Sequence, residues 1–147
     1  MLTFVHDSDL HYGKHGLGPR KNKENHPISI TTSEVQFVIL TGDLTDNGYD
    51  GARLGCIKYG GDVDQITPLL ENYVNPIEEA GKEVYLCAGN HDRGKKTFWL
   101  FHHPAMKYLI RKRHGDFKYT FRKRNLKFIC CGECPRDTVW LKKQLRD

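Results

Sequence analysis

Val35-Gln36-Phe37-Val38-Ile39-Leu40-Thr41-Gly42-Asp43-Leu44-Thr45-Asp46 is the stretch that decides how this chain folds. Val35 to Leu40 is a nearly continuous β-branched and aliphatic run. A strand buried on both faces reads this way, and strands of that kind belong to parallel sheets covered by helices. Gly42-Asp43 follows with turn chemistry. The strand therefore ends by presenting a carboxylate.

Two further runs repeat this arrangement. Leu2 to His6 is a short apolar-rich strand that leads into Ser8-Asp9-Leu10-His11. Glu83 to Ala88 is a third strand, leading into Gly89-Asn90-His91-Asp92. Between them, Tyr12 to Glu34 reads mostly as loop with room for a short helix, and Asn47 to Asp64 as an irregular glycine-rich loop. Thr67-Pro68 predicts a helix start, with Thr67 as N-cap and Pro68 at the first helical position. Leu69, Leu70, Tyr73, Val74 and Ile77 form its apolar stripe, Pro76 is placed to kink or split it, and Gly81 to end it. Lys96 to Arg111 reads as an aromatic-rich helix. Phe117 to Phe121 and Leu126 to Cys131 read as a hairpin, and Thr138 to Leu145 as a final amphipathic helix. Strand and helix alternate, which predicts α/β architecture with a largely parallel sheet.

The three strand ends supply two carboxylates, two imidazoles and a carboxamide, the ligand types that hold hard or borderline divalent cations. Asp9 and Asp43 are 34 positions apart and Asp43 and Asn90 are 47 apart. Such distant groups converge when each sits at the carboxyl end of a strand, where open α/β sheets bind their ligands. Asp9-x-His11 lets both side chains turn toward one cation. Asp43 carries two oxygens and can bridge two cations. Taken singly, Gly42-Asp43 is a common turn and Asp9 with His11 an ordinary loop pair; the ordered set carries the argument.

Ser8-Asp9-Leu10-His11, Gly42-Asp43 and Gly89-Asn90-His91-Asp92 resemble the first three motifs of the calcineurin-like metallophosphoesterases, and the resemblance runs along almost the whole chain. It implies an α/β fold of the α/β/β/α sandwich type, present in part, with a mostly parallel sheet and a later hairpin. It implies a single domain over residues 1–147 that is C-terminally truncated, because the family's later histidine and its Gly-His-x-His motif are absent from this sequence. By resemblance, Asp9 and His11 bind one divalent metal ion, Asp43 bridges, and Asn90 binds the second; manganese, iron, zinc and magnesium all suit such donors. His91 faces the substrate, stabilises developing charge and protonates the leaving oxygen. Asp46 is its expected carboxylate partner, ahead of Asp92, and Asn90, His91 and Arg93 are the expected substrate contacts. The implied reaction is hydrolysis of a phosphoester by a metal-activated water, as a phosphodiesterase or a phosphatase. Two alternatives stand beside it, a nuclease-type member acting on nucleic acid and a non-catalytic binding module. With the later ligands missing, the chain by itself is expected to be weakly active or inactive and to associate through uncovered apolar surface. Phe101-His102-His103-Pro104 looks like the family's fourth motif, but its position ahead of Trp140 to Leu145 argues for helix or loop residues.

Composition sets the outer limits. Apolar residues make up 38% and charged residues 28% of 147, a balance suited to one domain with a real core. No run approaches a membrane span and no signal segment starts the chain, which reads as cytoplasmic. The five cysteines, Cys56, Cys87, Cys130, Cys131 and Cys134, are odd in number and argue against a disulfide framework. Cys87 and Cys130 lie within strand-like runs and read as small buried hydrophobes. Cys131-Gly132-Glu133-Cys134 superficially suits a redox site, a weak signal on its own. Net charge is +5, carried by basic clusters such as Arg111 to His114 and Lys142-Lys143. They suit either a solvated surface or a field that draws in a phosphoester, a nucleotide or nucleic acid. Arg93 to Lys96 directly follows the third motif.

Overall fold

A computed structural model describes residues 1–12, 25–45, 65–93, 105–132 and 138–146. Three strands, β1 (Phe4–Ser8), β2 (Phe37–Gly42) and β3 (Glu83–Ala88), form a parallel sheet in the order β1-β2-β3. β2 is central, and Phe37, Val38 and Leu40 are fully buried, as the unbroken apolar run requires. Helix α1 (Asn25–Thr31) lies between β1 and β2 in the chain, within the stretch read mostly as loop.

The helix between β2 and β3, α2, has three consecutive parts: Ile66–Leu69, a π-helical turn Leu70–Val74, and Asn75–Glu79. Pro76 accounts for the interruption. Its ring has no N–H to give and would meet a carbonyl one turn earlier, so the preceding turn widens and Asn75 N–H bonds back to Leu70 O. The N-cap is Gln65, not Thr67, and it makes no side-chain cap bond, so Thr67 and Pro68 both lie inside the first turn. Gly81 ends the helix as expected. It has φ 78°, its N–H reaches Glu78 O at 2.8 Å, and Lys82 N–H reaches Ile77 O at 3.2 Å, the two bonds of a left-handed helix stop.

Ile30 of α1, with Leu69, Tyr73 and Ile77 of α2, packs on Val38, Leu40, Val84 and Leu86 of the sheet. Helix α3 (Ala105–His114) adds Met106 and Ile110 to the same core. Truncating one such buried aliphatic residue to alanine costs about 2–5 kcal/mol, so this layer fixes where the strand ends sit.

The opposite face of the sheet carries a second β layer. β4 (Tyr119–Lys123) and β5 (Leu126–Cys130) form an antiparallel hairpin whose Phe121 and Phe128 rings stack 4.8 Å apart and meet Phe37 edge-on at 6.0 and 5.5 Å. Helix α4 (Thr138–Gln144) lies against the hairpin's outer side. There Lys127 Nζ donates to Gln144 O at 2.6 Å and Lys118 Nζ sits 5.3 Å from the Trp140 ring. The order is helix, parallel sheet, hairpin, helix, a four-layer arrangement of α/β/β/α type. Among the described residues no helix is long and apolar enough to cross a membrane.

The outer edge of β3 is closed by side chains. Leu86 N–H donates to His114 Nε2 at 3.2 Å, and Leu86 O accepts from the Tyr119 hydroxyl at 2.9 Å. The His114 ring lies between Tyr119 and Tyr85, 4.3 and 5.8 Å from their centroids. A nitrogen that accepts from a backbone N–H must be unprotonated. Burial, and then the neighbouring Arg113 charge, hold the His114 pKa down to about 4 from an ordinary 6.5. The folded pKa lies below the unfolded one, so this contribution is complete above pH 6.5 and is lost as pH falls toward 4. The ring is only partly buried, which limits the effect to about 1–2 kcal/mol. Urea midpoints measured from pH 7 to 4 should fall more steeply for the wild type than for His114→Gln; identical slopes would show that His114 does not set this dependence.

Candidate metal centre

The register of the parallel sheet brings the three motifs to one edge. Ser8 pairs with Thr41, and Gly42 pairs with Ala88. The next residue along each strand is Asp9, Asp43 or Gly89, so all three loops leave the sheet at its carboxyl end. Asp9 and His11 then adopt positive φ, 55° and 48°, on either side of buried Leu10. Asp and His visit this left-handed region more readily than most residues. The loop runs beside the one after β2: Asp9 N–H bonds Thr41 O at 3.3 Å, His11 N–H bonds Asp43 O at 2.9 Å and Tyr12 N–H bonds Leu44 O at 3.0 Å.

Glycine is required at two places. Gly42 has φ 77°, and a Cβ there would stand 3.4 Å from Asp9 Oδ2, so the Asp9 carboxylate lies directly over it. A Cβ on Gly89 would stand 2.6 Å from Asp43 N and collide with Asp43 Oδ1. Only a residue without a side chain lets the β3 loop approach the Asp43 carboxylate this closely.

Asp43 is the centre of the cluster. Its Oδ1 accepts the His91 backbone N–H at 2.9 Å. Its Oδ2 lies 3.8 Å from His11 Nε2 and 3.8 Å from His91 Nε2. The two imidazole rings meet edge-to-face with centroids 5.1 Å apart. One ligand atom from each of His11, Asp43 and His91 falls within 4.8 Å of the others, a set of two nitrogens and an oxygen able to hold a divalent cation. Asn90 stands between Gly89 and His91 with its side chain exposed at the same edge. His91 to Arg93 form a single 3-10 turn, and the Arg93 side chain lies outside the described residues. So do Asp46, expected as the partner of His91, and His102 and His103.

Asp92 has a role that the sequence did not reveal. Its side chain is buried, 1% exposed. Oδ2 accepts Leu44 N–H at 3.1 Å and Gly89 N–H at 2.9 Å; Oδ1 accepts Thr45 N–H at 2.8 Å and the Thr45 hydroxyl at 2.7 Å. Burial raises its pKa, and these four donors act against the rise. Asp43 therefore takes an N–H from the β3 loop while Asp92 takes two from the β2 loop. Asp92 has a local bond to Gly89 N–H, which closes the Gly89 to Asp92 turn on itself. Its second attachment, to Leu44 and Thr45, needed the fold.

Residues 2–134 of the 147 match the family model for calcineurin-like phosphoesterase. The chain belongs to the calcineurin-like phosphoesterase family. No curated protein matches it significantly. A calcineurin-like phosphoesterase domain is in general that of a metal-dependent phosphoester hydrolase, and the His11, Asp43 and His91 donor set agrees with a divalent cation at this sheet edge.

The Asp92 bonds give a direct stability test for this phosphoesterase domain. In Asp92→Asn one oxygen becomes an NH₂ facing N–H donors, so unfolding should become easier by about 2–3 kcal/mol. Thr45→Val keeps the shape and removes one hydroxyl bond, at about 1 kcal/mol. Chemical denaturation measures both; equal, negligible losses would show that the two loops do not depend on this carboxylate.

Proposed function

We propose that this chain hydrolyses phosphoesters with the help of two divalent cations held at the carboxyl edge of its parallel sheet. The observation that supports this is the meeting of His11 and Asp43, with the His91 imidazole beside them, from three separate loops; Asp9 and Asn90 stand outside that cluster and are assigned on the family resemblance. In this reading Asp9 and His11 hold one cation, Asp43 holds both, and Asn90 adds a neutral oxygen to the second. Cations held there would supply positive charge to the phosphate and lower the pKa of a water molecule.

The remaining work falls to side chains. His91 is held by its own backbone N–H on Asp43 Oδ1, which turns its ring toward the cluster. From there it stabilises charge on a phosphate oxygen and gives a proton to the leaving oxygen. Asp46 orients that imidazole, and Arg93 meets the phosphate with a planar, permanently charged fork. Asn90, exposed beside His91, contacts the same group. The surplus of basic side chains draws an anionic substrate toward the site. The substrate in this reading is a phosphodiester or a phosphomonoester.

Mn²⁺ titration by calorimetry, read beside turnover of bis-(4-nitrophenyl) phosphate and 4-nitrophenyl phosphate, tests the reading. Wild type should bind Mn²⁺, and Asp43→Ala or His11→Ala should weaken binding at least tenfold. His91→Asn should retain binding and lower the rate of diester cleavage by about 10²-fold or more. Absence of Mn²⁺ binding by the wild type, or binding indifferent to Asp43→Ala, would overturn it.

A further inference from the structure

Charge is unevenly placed along this chain. Residues 1–116 carry 14 Lys and Arg against 15 Asp and Glu, a net −1, whereas residues 117–147 carry nine against three, a net +6. The basic surplus of the protein therefore belongs to its last 31 residues, which build the hairpin β4-β5 and helix α4. Among the described residues of this layer, 117–132 and 138–146, there are eight Lys and Arg and no carboxylate.

Strand alternation sorts these cations by face. Phe121 and Phe128 turn inward onto Phe37, so their neighbours Arg122 and Lys127 point outward, opposite each other across the hairpin. Lys127 Nζ reaches the carbonyl of Gln144, which places α4 on that outer side. Lys142, Lys143 and Arg146 are exposed on α4 and, with Val139, line one surface recess. Arg124 is exposed at the hairpin turn. Lys123 turns inward instead and is neutralised by Glu83 of β3. The outer arrangement works against folding. Like charges directly across a hairpin repel, as do Lys142 and Arg146 one helical turn apart. A polyanion laid over the face would turn that repulsion into attraction.

We infer that the outer face of the hairpin and α4 is a docking surface for the phosphate backbone of duplex nucleic acid, held without regard to base sequence. Charge complementarity selects a polyanion. An anionic bilayer would need an apolar stripe to insert between the cations. α4 offers none: Trp140 and Leu141 are half-buried, with Lys118 lying over Trp140, and exposed Val139 and Leu145 project about 120° apart at helical spacing. A single strand would stack its bases on exposed aromatic rings, whereas Tyr119, Phe121 and Phe128 face the sheet. Arg and Lys heads on long stems meet phosphate oxygens and fix position without reading bases. The surface uses none of the metal-centre residues, so it is tested apart from the hydrolase reading.

Fluorescence anisotropy of a labelled DNA duplex of about 20 bp, titrated with the full-length chain in EDTA at about 50 to 200 mM KCl, provides the test. EDTA removes divalent cations, so cleavage cannot intervene. Each cation that neutralises a phosphate adds about 0.9 to the fall of log Kobs with log salt, so exposed Arg122, Arg124, Lys142, Lys143 and Arg146 should give a slope of about −3 to −4.5. This wild-type slope needs no variant to fold. Lys142→Ala, Lys143→Ala and Arg146→Ala combined should weaken binding at least tenfold and make the slope shallower by about 2 to 3. Asp43→Ala should bind the duplex as the wild type does. No binding at the lowest salt, or a slope shallower than about −2, would overturn the proposal. So would a loss caused by Arg111→Ala with Lys112→Ala on α3 and not by the α4 substitutions, or sedimentation with phosphatidylserine vesicles by a chain that ignores the duplex.

Discussion

Two carboxylates that exchange hydrogen bonds between neighbouring loops hold the candidate metal centre together. Asp43 accepts from the loop after β3, and Asp92 accepts from the loop after β2. Each bond joins a charged acceptor to a backbone donor in a protected place, the strong end of the hydrogen-bond range. Neither loop could keep its shape alone, because each lends its N–H groups to the other. Gly89 permits the exchange by leaving room for the Asp43 oxygen. The positions of His11 and His91 around Asp43 Oδ2 follow from this arrangement.

The hairpin layer has a separate basis. Its stacked aromatic rings cover Phe37 and Tyr85, and Lys123 reaches down to Glu83 at 2.5 Å. That ion pair lowers the Glu83 pKa and raises that of Lys123. It is exposed and contributes little beyond orientation. At the outer edge of β3, His114 and Tyr119 occupy the Leu86 backbone groups that a further strand would otherwise take. An edge closed by side chains is a defence against strand addition.

Much of the architecture was legible because it depends on local pattern. The run Val35 to Leu40 announced a strand covered on both faces, and β2 is such a strand. Gly81 announced a helix stop and supplies it. Thr67-Pro68 announced a helix start and did not supply one, since the turn begins at Ile66 and Gln65 takes the N-terminal place. Local capping preference is worth about 1 kcal/mol, and burial of Ile66 and Leu69 outweighs it.

The sequence by itself determined which residue types stand at the three strand ends, and that these strands lie parallel between helices. Alternation and apolar runs are properties of neighbours along the chain, so they survive without coordinates. Only the tertiary structure decided that Asp92 clamps the β2 loop and that His91 Nε2 stands level with His11 about one Asp43 oxygen. Each of these joins residues 32 or more positions apart, across the register of the parallel sheet. No local preference encodes such a distance; the packing of the strands sets it.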